Sequence, residues 1–281
     1  MSAPRVATSP GELLGFLSGI AHLDAERLVI DDEAAFRAAG IRDAVWSATF
    51  SQDEGTVEAA RWIVWEASQE LGSPSASIQD LYMARSRGEY SGWTVPAINL
   101  RTQVFDMAMA GCRAAIELDA GSVIFELARS EQEYTFQRPG EYITSVLAGC
   151  IAAGWRGPVF VQGDHYQFNA AKYKADPAAV TETLRKATLN AMDVGYGNID
   201  IDSSTLVDLS FDSLDDQQKV NYTRAAELSA VIRDSQDEDL IVSIGGEIGE
   251  VGKTNSTVED LRAYLDGFRR ELDARRPAPS V

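Results

Sequence analysis

The residues best suited to do chemistry in this sequence follow short apolar runs. Asp164 and His165 come just after the run 158–162 and place an acid next to an imidazole. Glu247 comes just after the run 240–244, among glycines that would let the backbone approach a ligand closely. Carboxylates that converge on one point repel each other unless a cation or a proton lies between them. The pattern favours a metal site in which one residue of the Asp-His pair binds the metal and Glu247 is a second ligand.

Two further apolar runs also end in polar residues. Asn99 closes the run 95–99, and the end of the run 198–202 is marked by Asp200, Asp202, Ser203 and Ser204. An isolated Asp-His dipeptide also has a simpler interpretation, in which the aspartate caps a helix and the histidine caps a loop. These residues alone leave both interpretations open. The other histidine, His22, lies between two apolar residues, where packing or capping is the expected role.

These candidate residues depend on elements that bring several strand ends together. From about residue 95 the chain alternates short apolar runs with long amphipathic stretches, which is the pattern of successive βα units. Polar residues or glycines mark the carboxyl end of each run, as in parallel strands that open into loops carrying chemistry. The predicted strands are 95–99, 122–126, 158–162, 198–202 and 240–244.

The stretches between the strands carry helix signals. Asp176 and the proline after it supply an N-cap and a first-turn residue for a helix that Gly195 ends. Ser256 and Glu259 form a predicted capping box for the last helix. Residues 1–94 show helical patterns, and no strand is predicted there.

Five βα units fit two folds. One is a complete doubly wound sheet, and the other is a (β/α)₈ barrel that stops after its fifth unit, because five strands are too few to close a barrel. A doubly wound sheet leads us to expect a glycine-rich phosphate loop after the first strand, and residues 99–103 contain no glycine. The sequence therefore favours the barrel, with the doubly wound sheet as the alternative.

Composition excludes several classes of protein. The 281 residues are 45% hydrophobic and 24% charged, unlike a disordered chain, and 25 basic against 43 acidic side chains give a net charge of −18. Such an acidic surface repels nucleic acid and anionic lipid, so we expect neither as a partner. Cys112 and Cys150 lie in apolar stretches and are predicted to be buried, reduced thiols. The first residues lack the pattern of a signal peptide, so a cytoplasmic protein is expected.

Four motifs occur in the order and spacing of one enzyme family. They are Val-Pro-Ala-Ile-Asn (95–99), Gly-Asp-His (163–165), Ile-Asp-Ile-Asp-Ser-Ser (199–204) and Gly-Glu-Ile-Gly (246–249). Together they resemble the class II, zinc-dependent fructose-bisphosphate and tagatose-bisphosphate aldolases over about residues 92–268. The resemblance implies a (β/α)₈ barrel in which a divalent metal ion polarises the carbonyl group of a ketose substrate.

The resemblance also implies roles for individual residues. Asp164 corresponds to the catalytic acid, and His165 and Glu247 correspond to ligands of a Zn²⁺ ion. Residues that bind substrate or support the site from behind would be Asn99, Asp202 and Ser203.

The family places further metal histidines and a phosphate loop on its last three strands, and this chain ends at Val281 before them. Asn255 and Ser256 take the place of an acidic pair that supplies the family's base, and Glu250 is near enough to be considered for that role. We therefore expect a truncated or naturally shortened chain that does not cleave the sugar on its own.

These observations predict a helical N-terminal extension over 1–91 and a partial, aldolase-like α/β barrel over 92–281. The predicted function is that of a carbon–carbon lyase of ketose bisphosphates in carbohydrate metabolism, with a phosphorylated sugar as substrate. The alternative is a non-catalytic homologue that stabilises or regulates a partner aldolase. We expect either a homo-oligomer or a complex with such a partner subunit.

Overall fold

The computed structural model describes residues 3–249 and 255–276. They form two compact units, each assembled from separate stretches of the chain. The first unit comprises residues up to 76 with 90–127 and 131–161, and the second comprises 77–89, 128–130 and the residues from 162 onward. The predicted boundary between residues 91 and 92 divides the chain differently and stays a prediction about its domains.

The elements of the described residues alternate between helices and strands over most of the chain. The helices are α1 (Pro10–Phe16), α2 (Glu33–Ala35), α3 (Ile41–Phe50), α4 (Glu54–Glu70), α5 (Gln79–Ser86), α6 (Val104–Glu117), α7 (Arg129–Tyr134), α8 (Pro139–Ala153), α9 (Ala170–Ala175), α10 (Pro177–Asp193), α11 (Leu214–Ser235) and α12 (Val258–Arg275). The strands are β1 (Ala21–Asp24), β2 (Arg27–Ile30), β3 (Ser75–Ala76), β4 (Ala97–Asn99), β5 (Ile124–Ala128), β6 (Val159–Asp164), β7 (Asn198–Ile201) and β8 (Ser243–Gly246).

The prediction of no strands before residue 95 is wrong. β1 and β2 form an antiparallel hairpin in which Ala21 pairs with Ile30. β3 is parallel to the start of β6, with Ser75 opposite Val159. The hairpin closes through two residues, and the first of them, Ala25, has a φ of +54°. Glycine or asparagine normally occupies such a turn, so this hairpin carries no turn signal in the sequence.

Helices α6 and α8 approach each other closely in the first unit. Gly149 permits this approach, because a Cβ atom there would lie 2.6 Å from the carbonyl oxygen of Phe105. Cys112 and Cys150 lie in this contact, fully buried, with 3.1 Å between their Sγ atoms. The prediction of buried free thiols is confirmed. Burial and the neighbouring thiol raise the pKa of Cys150, which disfavours the reactive thiolate.

Parallel strands also lie side by side in the second unit. The pairing of β6 with β7 places Gln162 opposite Asn198, and the pairing of β7 with β8 places Asp200 opposite Gly245. In the first unit β4 and β5 are parallel as well. Each of the five predicted strands overlaps one of β4 to β8, and helices separate them along the chain. The protein therefore has an α/β fold, and the (β/α)₈ barrel stays a prediction.

Helix α12 begins with a capping box, but one residue later than predicted. Thr257 Oγ1 accepts a hydrogen bond from the Asp260 amide at 3.2 Å, and Asp260 Oδ2 accepts one from the Thr257 amide at 2.7 Å. Ser256, the predicted cap, instead donates its hydroxyl hydrogen to the carbonyl oxygen of Gly249 at 2.6 Å. Within residues 3–249 and 255–276, no helix combines the length and apolarity needed to cross a membrane.

Candidate functional site

Three strand ends bring the predicted acids together in the second unit. Asp164 is the last residue of β6, Asp202 is the first residue after β7, and Glu247 is the first residue after β8. The carboxyl ends of neighbouring parallel strands meet at one edge of a sheet, which is where ligands bind in α/β proteins. The strand order thus explains why residues 83 positions apart in the chain (247 − 164) face one site.

His165 lies between two carboxylates. Its Nδ1 atom is 2.7 Å from Asp164 Oδ2, and its Nε2 atom is 3.3 Å from Glu247 Oε1. Its backbone has a φ of +42°, a left-handed conformation that is uncommon for a residue with a Cβ atom. The Gln167 amide donates to the carbonyl oxygen of His165 at 2.7 Å and closes the tight turn that holds this conformation. The turn after β6 therefore brings the imidazole to the acids.

The acids determine the protonation of this histidine. Burial on its own would lower the pKa of His165, but the hydrogen bond and charge of Asp164, with the charges of Glu247 and Asp200, raise it to about 9. Without a bound cation, the imidazole is therefore positively charged at neutral pH. Its positive charge then offsets the negative charges of these carboxylates.

Asp200 adds an acid to which the sequence analysis assigned no role. The register of β6 and β7 places Asp164 and Asp200 on the same face, because side chains alternate along a strand. A Cβ atom on Gly245 would lie 2.5 Å from Asp200 Oδ1, so the glycine makes room for this carboxylate. Burial, followed by the negative charges of Glu247 and Asp164, raises the pKa of Asp200 to about 7 against the opposing effect of His165. Near neutral pH this group can therefore gain or lose a proton.

Asp202 is buried and accepts hydrogen bonds with both of its oxygens. Oδ1 accepts from the amide of Ser204 at 3.0 Å and from its hydroxyl at 2.6 Å, and Oδ2 accepts from Gln167 Nε2. Burial raises the pKa of Glu247, and the charge of Asp202 raises it further. Asp202 thus connects the loop after β7 to the turn that carries His165.

Ser203 and Asn99, also predicted for the site, have other partners. Ser203 is fully buried, and its hydroxyl lies 2.6 Å from Asn221 Oδ1 on α11. Asn99 ends β4 in the first unit, where its Nδ2 atom donates to Glu131 Oε2 at 2.8 Å. Its Oδ1 atom is buried without a hydrogen-bond partner among the described residues. Ser203 therefore supports the site from within the second unit, and Asn99 belongs to the first.

A cavity of about 380 Å³ opens beside the imidazole. Its size lies within the range of small-molecule sites. It combines acids, hydroxyls and amides with a short apolar wall, and its lining residues are His165, Gln167, Asp202, Ser204, Thr205, Val207, Leu209 and Glu247. Among the described residues, the lining contains no lysine or arginine. The described lining thus offers hydrogen-bonding groups suited to a polar, hydroxylated ligand.

Two sets of donor atoms could hold a metal ion. His165, Asp202 and Glu247 form one set, and Asp164, His165 and Asp200 form the other; within each set the potential ligand atoms lie within 4.8 Å of one another. The first set fits a metal better, because the Asp164 hydrogen bond to Nδ1 leaves Nε2 directed toward Glu247. One nitrogen and two oxygens supply the three protein ligands usual for a catalytic zinc ion.

Gln167 was missed as a site residue, and Ser204 was noted at the end of its strand but was given no role; the Asp-Ser sequence after β7 favours the bond from Asp202 to the Ser204 amide. His22 lies on β1 in the first unit, where its Nδ1 atom is 2.8 Å from Asp31 Oδ2. Glu250, the acid considered for the role of the base, lies outside the described residues.

Comparisons with known proteins identify no family for this chain. No family model and no curated protein matches the chain. Among solved structures it is similar to a probable tagatose 6 phosphate kinase from Sinorhizobium meliloti 1021, with 18% sequence identity and a TM-score of 0.46. The match covers 65% of this chain and 47% of that protein, so the chain spans about half the length of the structure it matches. The class II aldolase resemblance stays a prediction from the four motifs.

Proposed function

We propose that this chain is a class II aldolase-like protein that binds a divalent metal ion, Zn²⁺ in the first instance, at His165 and Glu247. Its reaction would be the cleavage or formation of a carbon–carbon bond in a ketose bisphosphate. The observation that supports this most is the alignment of Asp164, His165 and Glu247 at the ends of β6 and β8. A histidine that donates one ring N–H to a carboxylate and presents its other nitrogen to a ligand position is the usual form of a metal-binding histidine.

A bound divalent ion would supply the Lewis acidity that polarises the substrate carbonyl group. The chain's own residues would transfer protons and would orient the groups that line the cavity. Asp164 Oδ2 holds the imidazole, which leaves its Oδ1 atom to exchange a proton with a substrate hydroxyl group. Asp200, with a pKa raised to about 7, is matched to proton transfer near neutral pH. Asp202 fixes Ser204 and Gln167 at the wall of the cavity.

One observation favours the alternative, a non-catalytic homologue that stabilises or regulates a partner aldolase. The part of the cavity lining that the structure describes has a single histidine and no lysine or arginine to hold a phosphate group. A ketose bisphosphate carries two such groups, and binding energy from these remote groups normally contributes to the rate. The metal site and the catalytic activity therefore need separate tests.

Isothermal titration with Zn²⁺ tests the metal site, because the chain contains a matched pair of histidines. We expect Zn²⁺ to bind the wild-type protein and His22→Ala alike, and His165→Ala not to bind it. Asp31 also lies at hydrogen-bond distance from His22, so the control removes the same kind of pair. Equal binding by all three proteins would exclude His165 as a ligand.

A coupled assay for released triose phosphate tests the activity. With Zn²⁺ and fructose or tagatose bisphosphate, turnover that disappears in His165→Ala would establish the lyase and exclude the non-catalytic homologue. Zn²⁺ binding without turnover would favour that homologue, and its partner should then be sought among complete aldolases.

A further inference from the structure

The loop that carries Glu247 is held by two buried amide side chains of α11. Asn221 Nδ2 donates to the carbonyl oxygen of Glu247 at 2.8 Å, and Gln218 Nε2 donates to the carbonyl oxygen of Ile248 at 2.8 Å. Two consecutive carbonyl groups of the loop thus bind to neighbouring side chains of one helix. Both amides are buried, with exposed fractions of 0% for Asn221 and 1% for Gln218.

The two amides are themselves fixed by a hydrogen-bonded network. Asn221 Nδ2 also donates to Gln218 Oε1 at 2.9 Å, and the Ser203 hydroxyl lies 2.6 Å from Asn221 Oδ1. Ser203 directly follows Asp202 at the end of β7. The network therefore runs from the end of β7, through α11, to the loop after β8.

Among the described residues, the loop is also held at its two ends, where β8 pairs with β7 up to Gly246 and where the Ser256 hydroxyl donates to the carbonyl oxygen of Gly249. Gly245 and Gly246 precede Glu247, Gly249 follows with a φ of +85°, and none of these has a side chain that can pack. A buried polar group costs free energy unless it is hydrogen-bonded, so α11 strongly favours the arrangement in which both carbonyl groups are bound. Because the backbone of Glu247 is held in this way, its carboxylate starts from a position within reach of His165, with 3.3 Å between Oε1 and Nε2.

We propose that Asn221 and Gln218 are positioning residues, which act through Glu247 and touch neither metal nor substrate. This inference rests on the proposed metal site at His165 and Glu247. The sequence analysis named Ser203 but neither Asn221 nor Gln218, because a polar residue within a helix is expected to be solvent-exposed until the packing of the helix is known.

The first test is Zn²⁺ affinity, measured by isothermal titration for three variants. Asn221→Leu removes its side-chain hydrogen bonds to Glu247, Gln218 and Ser203. Gln218→Met removes the bond to Ile248 and the acceptor for Asn221 but keeps the bond from Asn221 to Glu247, so it serves if Asn221→Leu does not fold. Ser229→Ala is the matched control, because Ser229 is buried on the same helix and its hydroxyl has no hydrogen-bond partner among the described residues. We expect affinity to fall about 10- to 100-fold in Asn221→Leu, less in Gln218→Met, and less than twofold in Ser229→Ala.

The second test separates positioning from general loosening of the fold. In a Glu247→Gln background, Asn221→Leu and Gln218→Met should lower Zn²⁺ affinity no further, because the ligand through which they act is already lost. An additional loss of the same size in that background would overturn the proposal.

Hydrogen exchange of the backbone amides in 245–249 gives a readout without metal. Exchange should accelerate about tenfold or more in Asn221→Leu and in Gln218→Met, and stay unchanged in Ser229→Ala. If the wild-type protein binds no Zn²⁺, the proposed function fails and exchange alone decides the positioning role. Unchanged exchange in both amide variants would exclude that role.

Discussion

The chain contains two pairs of an aspartate and a histidine, which share the same contact and have similarly exposed imidazoles but differ in the burial of the aspartate. In the hairpin of the first unit, His22 Nδ1 lies 2.8 Å from Asp31 Oδ2; in the second unit, His165 Nδ1 lies 2.7 Å from Asp164 Oδ2. The side chain of Asp31 is 46% exposed, whereas that of Asp164 is 13% exposed. The contact alone therefore does not distinguish a surface pair from a site.

The difference lies in what surrounds each pair. Near His165, three parallel strands end together and supply Asp200, Asp202 and Glu247. The hairpin has only two antiparallel strands, and none of the metal-ligand groups found among the described residues includes His22. Convergence of strand ends, more than the choice of residues, makes the second pair a candidate site.

The largest effect should come from the acid behind the site. Asp202→Ala leaves the half-buried Ser204 amide and the exposed Gln167 side-chain amide without their acceptor, and we expect the free energy of unfolding to fall by about 2 kcal/mol. Asp31→Ala in the hairpin should cost less than about 1 kcal/mol, because exposed ion pairs contribute little. Urea denaturation of both variants measures the difference. Equal losses would show that burial of Asp202 does not matter for stability.

A smaller effect is expected when the contact itself is weakened. Asp164→Asn keeps the shape of the side chain but removes its charge, and we expect Zn²⁺ affinity to fall about 10- to 100-fold. Asp31→Asn makes the same change in the other pair and should leave the affinity unaltered. Titration calorimetry on both variants provides the measurement. A matching decrease in Asp31→Asn would place a metal ligand in the hairpin.

The pH dependence of the metal-free protein should separate the two regions further. Asp200 has its pKa raised from 3.8 to about 7, so between these values the folded state binds more protons than the unfolded state and stability falls as pH rises. His165 has its pKa raised from 6.5 to about 9, so its stabilising contribution is complete below pH 6.5 and is lost as pH rises through 9. We expect Tm to fall by a few degrees from pH 4 to 9.

Three variants show which residue causes each part of this dependence of Tm on pH. Asp200→Asn should flatten the part between pH 4 and 7, and His165→Ala should flatten the part between 6.5 and 9. Asp31→Asn, the hairpin control, should keep the wild-type profile. A wild-type Tm that rises steadily with pH would contradict both raised pKa values.

The smallest effect should follow removal of the surface histidine. His22→Ala deletes an exposed contact and should change the free energy of unfolding by less than about 1 kcal/mol. Chemical denaturation measures this change. A loss above 2 kcal/mol would mean that the hairpin depends on this pair.

Local patterns predicted part of this structure well. Apolar runs located β4 to β8, and Asp176 caps α10 as expected, with its Oδ1 atom 3.0 Å from the Ala179 amide. The β1–β2 hairpin was missed because its turn begins with alanine. The position of the capping box was missed by one residue, because Ser256 and Thr257 are equally good caps and only the contact of Ser256 with Gly249 separates them.

The candidate site was predictable only in part. Asp164, His165, Asp202 and Glu247 stand at the strand ends where polar residues followed apolar runs. Gln218 and Asn221 depend on which face of α11 meets the loop after β8, which no local pattern encodes. The raised pKa of Asp200 depends on carboxylates from two other strands, so it too requires the folded arrangement.

The left-handed backbone at His165 has a consequence for protein engineering. A residue with a Cβ atom at a φ of +42° carries strain that glycine would not. Above about pH 9, where the stabilising charge of His165 is lost, a library selected only for heat resistance should therefore favour glycine or asparagine at position 165, and the variants recovered would be more robust there but would lack the imidazole. Stability-guided redesign of this chain would erase its candidate site unless residue 165 were held constant.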